Sequence, residues 1–367
     1  MELHLVGGFL GSGKSTAIVE AARILSGQGS RVGIITNEQG KHLVDTGFLR
    51  ANNLPALDVT GGCFCCHLDD FAERIEEMAE QASPHVIFAE SVGSCTDLVA
   101  TVIKPLLDWR QTAAVPGSLS VFADSRLLLR YLDGQELPFN EGIIYIFEKQ
   151  IEETELLVIN KIDLLSEADA NRLLELARKA YPQKRLLEQN SLKREAVGRW
   201  LEILRSEAGS PPLVSLDLDY DAYASGEGKF VWLDREYSVP VNSAVQLDEL
   251  KTFILRLADE LPRAVRAVAH IKCLVSDREN AIKLNLTGLD NPADAWKNQA
   301  DRLAELNGGQ LRMLINIMVE GDLETVRTAL DDLIQRYLIQ LGVDIEPISA
   351  FERVPGYPQP TMRIGNP

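Results

Sequence analysis

Between a short apolar run at residues 3–6 and a helical stretch at residues 15–25 stands Gly8-Phe9-Leu10-Gly11-Ser12-Gly13-Lys14-Ser15. This is G-x-x-x-x-G-K-[ST] in full, in the strand–loop–helix setting that makes such a run a phosphate cradle. Gly8, Gly11 and Gly13 let backbone N–H groups turn inward around phosphates, with Ser12 inside the turn. Lys14 is the point charge for the terminal phosphates, and the Ser15 hydroxyl is a Mg2+ ligand. The helix that opens at Ser15-Thr16 adds the positive end of its dipole.

The remainder of the N-terminal half agrees with that setting. Residues 32–36, 86–89, 119–123 and 156–159 are short apolar runs bounded by charges or turn residues, as buried parallel strands are. Residues 168–180 form an amphipathic helix. The expected fold class is α/β: a P-loop domain with a mostly parallel sheet over residues 1–207, followed by a smaller α+β domain. Residues 208–228, rich in Gly, Ser, Pro and Asp, are expected to be a linker. Beyond it, residues 230–240, 264–275, 281–286 and 311–319 read as strands, and 247–261 and 322–341 as helices. That domain is placed at 229–345, with a Pro-rich tail at 346–367.

Two further motifs narrow the nucleotide chemistry. Asn160-Lys161-Ile162-Asp163 follows the run at 156–159. In an N-K-x-D loop, Asp163 accepts from guanine N1–H and N2–H2, the Lys161 stem lies over the ring, and Asn160 holds the loop and the purine edge. Adenine has no such pair of donors, and a buried carboxylate without partners is costly, so GTP and GDP are favoured. The run from Val86 to Gly93 is an apolar strand ending in an acid. Glu90 is thereby a candidate for Mg2+ or its waters, and Gly93 permits close approach to the γ-phosphate. The plainer alternatives are a helix-capping turn at 160–163 and an ordinary strand-end charge at Glu90.

Charge and cysteine usage exclude other classes. The formal charge is −17, which disfavours general nucleic-acid binding and anionic membrane surfaces. No apolar run approaches the roughly 20 residues of a membrane helix, and the N-terminus lacks a signal-peptide pattern. A cytoplasmic protein is expected. Of five cysteines, three crowd into Cys63-Phe64-Cys65-Cys66. Three soft thiolates so close suit Zn2+ or another thiophilic ion such as Co2+, Ni2+ or Cu+. His67 is a candidate fourth ligand, whereas Cys95 and Cys273 read as small buried residues.

Gly8 to Thr16, Asn37-Glu38 with Gly40 and Asp45, the Cys-x-Cys-Cys motif, Glu90-Ser91 with Gly93, and Asn160 to Asp163 together resemble, in order and spacing, the CobW-type metallochaperone GTPases. These are relatives of the hydrogenase- and urease-maturation GTPases. The C-terminal half is similar to that family only loosely. The resemblance implies a slow GTPase with Lys14, Glu38 and Glu90 as catalytic residues, Glu38 helping to position the attacking water. It implies a transition metal of the Zn2+ or Co2+ class at Cys63, Cys65 and Cys66, delivered to a client metalloprotein or cofactor-assembly protein. A second copy of the chain is a further candidate partner. The chain departs from the family at Gln39, at Asp69-Asp70 and at Thr96-Asp97-Leu98, and its five scattered histidines make no metal-buffering loop. The competing readings are a GTP-dependent activator that carries no metal, a P-loop small-molecule kinase, and a binding module with a degenerate nucleotide site.

Overall fold

The computed structural model describes residues 1–37, 49, 54–108, 112–206, 210–291 and 296–366. Among them the chain divides into two compact units. One comprises residues 1–37, 54–226 and 358–366, and the other comprises 227–357.

The first unit is built on β1 (Glu2–Gly8), β2 (Val32–Asn37), β3 (Ala56–Val59), β4 (Val86–Glu90), β5 (Val115–Asp124), β6 (Leu156–Asn160) and β7 (Arg185–Glu188). Their order in the sheet is β3-β2-β4-β1-β5-β6-β7, with every pair parallel. Parallel strands are covered on both faces, so their sequences run apolar without alternation. All five residues of β6 and all six of β2 are buried. One helix that covers the sheet, Arg194–Ser206, seats Trp200 against Phe88 and Phe122, where its indole N–H donates to Ser120 Oγ at 3.0 Å.

Register gathers the motifs. Val6 and Thr36 both lie opposite Glu90, Gly8 lies opposite Phe122, and Asp124 lies opposite Asn160. The phosphate loop, Glu90, Asp124 and Asn160 therefore leave one carboxyl edge, where open parallel sheets bind ligands. β1 is central, with β4 on one side and β5 on the other.

Two stretches differ from the sequence expectation. Within residues 208–228, Tyr220–Glu227 is a helix, all of it but Glu227 in the first unit. Asp219 caps it by accepting from the Asp221 and Ala222 N–H groups, and Tyr223 is buried beneath it. Gly226 is there because a Cβ would sit 2.3 Å from the Gly142 carbonyl oxygen, on the helix Glu141–Glu153. Within residues 346–367, Glu346–Arg353 is a strand, and residues 358–366 return to the first unit. Pro347 is tolerated because this strand is the sheet's edge.

The second unit is a five-stranded antiparallel sheet. Its strands are β8 (Phe230–Val241), β9 (Ala267–Ser276), β10 (Ala281–Leu286), β11 (Gly309–Glu320) and β12 (Glu346–Arg353), in the order β10-β9-β11-β8-β12. The helices Ala244–Ala264 and Leu323–Tyr337 bury Leu250, Phe253, Leu257, Leu330 and Leu333 into one core with it. Among the described residues no helix is long and apolar enough to cross a membrane.

The helix Glu141–Glu153 ends on a buried carboxyl that fixes the segment after β4. Glu153 Oε1 accepts from the Val99 N–H at 2.6 Å. Burial pushes the Glu153 carboxyl up to about 8, and nearby Asp97 adds to the rise. A carboxyl raised in the fold holds its proton there, so the stability it contributes is full below its ordinary value of 4.5 and is lost as pH rises toward about 8. Glu153→Gln keeps the acceptor oxygen and removes the titration. In urea unfolding from about pH 5 to about pH 8, the wild type should lose up to about 1.4 kcal/mol per pH unit that the variant retains. Equal slopes for the two proteins would overturn this.

Candidate functional site

The phosphate loop owes its shape to glycine at two positions above all. Gly8 has φ 123, and a Cβ there would lie 2.2 Å from Phe122 O. Gly13 has φ 94, and a Cβ there would lie 2.3 Å from Asn160 Nδ2. The loop delivers Lys14 and Ser15 to the start of the helix Lys14–Gly27. Lys14 is buried, and its Nζ donates to Gly8 O at 2.7 Å. Ser15 Oγ donates to Glu90 Oε1 at 2.9 Å, so the two groups expected at Mg2+ already touch. Among the described residues Ser12 Oγ is buried without a hydrogen-bond partner, a polar atom left for a ligand. Gly93 meets the loop from the other side, where a Cβ would lie 2.7 Å from Leu10 Cγ. Gly11 is also left-handed, and Thr16 is exposed in the helix's first turn.

The N-K-x-D loop is pinned to this cradle by one side chain. Asn160 Nδ2 donates to Ser12 O at 2.7 Å, while its Oδ1 accepts from Ser191 N at 3.1 Å and Ser191 Oγ at 2.9 Å. Lys161 sits in the left-handed region at φ 59, with Nζ 3.1 Å from Asp124 Oδ2. Asp163 is exposed on the turn Ile162–Leu164. Burial alone would raise the Asp124 carboxyl, but Lys161 and Arg126 hold it below the usual carboxylate range. Asp124 and Ser191 join the site beyond the residues the motifs mark. The one betrays itself as an acid ending an apolar run. The other follows β7, whose Arg185–Glu188 sequence is too short and too exposed to read as a strand.

The thiol motif is a turn held from both sides. Cys66 N and His67 N both donate to Cys63 O at 3.0 Å. Phe64 is fully buried and stacks on Phe71 of the helix Leu68–Ala82, with ring centroids 4.1 Å apart. Asn37, at the end of β2, donates through Nδ2 to Gly62 O at 2.7 Å and to Val59 O at 3.1 Å, and accepts from Phe64 N at 2.8 Å. The Sγ atoms of Cys63, Cys65 and Cys66 all lie within 4.8 Å of one another: Cys65 and Cys66 are 3.8 Å apart, while Cys63 lies 2.7 Å from Cys65 and 3.3 Å from Cys66, closer than a bound ion would hold them. A tetrahedral zinc with bonds of about 2.3 Å sets sulfurs about 3.8 Å apart, so a thiophilic ion would be held by these three thiolates once Cys63 opens away from the other two. Hydrogen bonds shared with Cys63, Cys66 and Cys95, together with burial, favour the protonated Cys65 thiol and push it up. The His67 ring is instead turned to Asp70, with Nδ1 3.1 Å from Oδ2. Glu38, with Gly40 and Asp45, lies outside the described residues.

Residues 2–188 match the family described as CobW/HypB/UreG, nucleotide-binding domain. The chain belongs to the CobW/HypB/UreG family. Among similar proteins, the zinc chaperone CobW of Sinorhizobium sp is 30% identical over 183 residues, covering 44% of this chain and 51% of that one. The zinc chaperone YeiR of Escherichia coli (strain K12) is 27% identical over 168 residues, covering 44% of this chain and 46% of that one. The chain thus spans about half the length of these relatives. Among solved structures, Zn(II)-bound YjiA GTPase from E. coli aligns over 91% of this chain and 98% of that one, at 13% identity and a TM-score of 0.35.

In this family member the thiol turn is overlaid by residues 358–366. Thr361 N donates to Cys65 O at 2.8 Å and Thr361 Oγ1 to Cys66 O at 3.1 Å. The neighbouring Cys63 thiol, with burial, pushes the Cys66 thiol up, and the Gln359 backbone N–H only partly offsets that rise. Arg363 Nε donates to Asp97 Oδ2 at 2.7 Å, and Tyr220 Oη donates to the same oxygen at 2.8 Å. Ile364 N reaches Ala100 O at 2.8 Å. The proline content of this segment carries no sign of these contacts.

Two outcomes follow from this geometry. Gly13→Ala puts a methyl group on the Asn160 amide in a backbone region worth about 1–2 kcal/mol to avoid, so GTP affinity by calorimetry should fall about tenfold or more. Unaltered affinity would separate the loop from nucleotide binding. Arg363→Ala removes the bond to Asp97, so iodoacetamide should label Cys65 and Cys66 several-fold faster, read by peptide mass spectrometry. An unchanged rate would show that Arg363 does not hold the cover down.

Proposed function

We propose that the chain is a GTP-hydrolysing metal chaperone, loaded at Cys63, Cys65 and Cys66 with an ion of the Zn2+ or Co2+ class and handing it to a client protein. The observation that carries this reading is Asn37. One amide joins the end of β2, the segment leading to Glu38, to the backbone of the thiol turn. A change at the γ-phosphate side of the sheet edge thus has a short covalent and hydrogen-bonded route to the metal side.

The roles follow from the positions. Lys14 neutralises the terminal phosphates, Ser15 and Glu90 hold Mg2+, and Gly93 gives the loop room. Asn160, Lys161 and Asp163 select guanine. Glu38 positions the attacking water. The names of the zinc chaperones CobW and YeiR support the choice of metal, and the free cysteines suit a reducing cytoplasm.

Nucleotide selection is tested by calorimetry, with GTP and GDP binding well above ATP and the preference collapsing in Asp163→Asn. Equal affinity for ATP and GTP in the wild type rejects the assignment, as does undiminished hydrolysis in Lys14→Ala. The chaperone cycle is tested by competitive zinc titration with a non-hydrolysable GTP analogue and with GDP. A coupling of about 1–3 kcal/mol gives affinities differing roughly 5–150-fold, with GTP affinity changing by the same factor when zinc is added. Identical zinc affinities in the two states would leave two unconnected sites.

A further inference from the structure

Cys95 is buried to 1% exposure, five positions beyond Glu90, and its Sγ lies 3.8 Å from Cys65 Sγ. The same 3.8 Å separates Cys65 from Cys66. That spacing is the edge of a tetrahedron of sulfurs around a metal with bonds of about 2.3 Å. We propose that Cys95 is the fourth sulfur ligand of the thiol site, making it a four-thiolate centre for a soft tetrahedral ion.

Three observations support this. The first is direction: Cys65 is shared between the turn and Cys95, so an ion beside Cys65 meets sulfur from two separate segments. Cys95 stands outside the tight group of three and touches it through Cys65, so an ion must draw it in by a side-chain rotation. The second is placement. Cys95 N donates to Val92 O at 2.9 Å, and Gln150 Nε2 donates to both Cys95 O and Gly93 O at 2.9 Å each. The helix Glu141–Glu153 therefore presents this backbone at a fixed point, as a ligand position requires. The third is the competitor. His67 is turned out to Asp70, and it is a half-exposed side chain, whereas Cys95 closes the buried side.

The ligand set changes which ion is favoured. Four thiolates in a tetrahedron suit Zn2+ or Cu+, while Ni2+ prefers planar nitrogen and oxygen sets. Binding releases the thiol protons as the metal–sulfur bonds form, so the site loads with a proton count that follows the number of cysteines bound. Cys95 also lies on the segment that begins at the Mg2+ acid. A metal that pulls on Cys95 pulls on Ser91-Val92-Gly93, which gives the nucleotide and metal sites a second connection besides Asn37.

This inference rests on the thiol turn being a metal site, and the experiment separates the two. X-ray absorption of the full chain loaded with one Zn2+ should show four sulfur scatterers at about 2.3 Å. Cys95→Ser should show three sulfurs and one lighter atom, bind zinc about 10–100-fold more weakly, and lose part of the difference in zinc affinity between the GTP-analogue and GDP states, the Asn37 route remaining. Unchanged GTP affinity in metal-free Cys95→Ser, repeated with Cys95→Ala, confirms that the fold survives. Three sulfurs in the wild-type spectrum overturn the proposal, and this result needs no variant. A wild type that takes up no zinc, or takes it up equally in Cys65→Ser, overturns the metal-site reading itself and this proposal with it.

Discussion

The first unit depends on the two-way bonding of one asparagine amide. Asn160 gives a hydrogen bond to the carbonyl of Ser12 and takes two from Ser191. Three loops, following β1, β6 and β7, are thereby held to one another at the sheet edge. A buried amide can do this because it is donor and acceptor at once, and its replacement by an apolar group would strand partners on both sides. Gly13 is the complement of that contact, since the amide occupies the space a side chain would need.

The thiol side repeats the solution with a second asparagine. Asn37 at the end of β2 bonds the loop after β3 and the turn at Phe64 in the same two-way fashion. Both asparagines follow apolar parallel strands and both are buried. The sheet therefore does more than carry motifs. Its register puts two amides where irregular backbone from separate segments has to be tied together, and the backbone groups of those segments are satisfied by side chains rather than by ladders.

What could be read beforehand follows this division. The strands at residues 32–36, 86–89 and 156–159 are legible because burial on both faces leaves an uninterrupted apolar run. β3 and β7, at the two edges of the sheet, are four residues each and only partly buried, so their sequences look like loop. The phosphate loop is legible because the requirement for left-handed backbone selects glycine at fixed spacing. Cys95, Ser191 and Arg363 are not, because their placement comes from contacts between distant segments. Cys95 reads as a small core residue in sequence and becomes a neighbour of Cys65 only through the placement of the segment after β4. The helix Tyr220–Glu227 was hidden by its composition. Glycine and serine there serve a close helix contact rather than a flexible linker.

The cover over the thiols has an entropic side. Thr361 and Cys66 are separated by 295 positions in the chain. Closing so long a loop in an unfolded chain costs conformational freedom that grows with the logarithm of its length. Once residues 227–357 have folded into their own core, much of that loop is already fixed, and the ends that must meet are joined through a rigid body instead of a random coil. The grip of residues 358–366 on the thiol turn is therefore sensitive to the folding of a unit whose own side chains need never touch the metal.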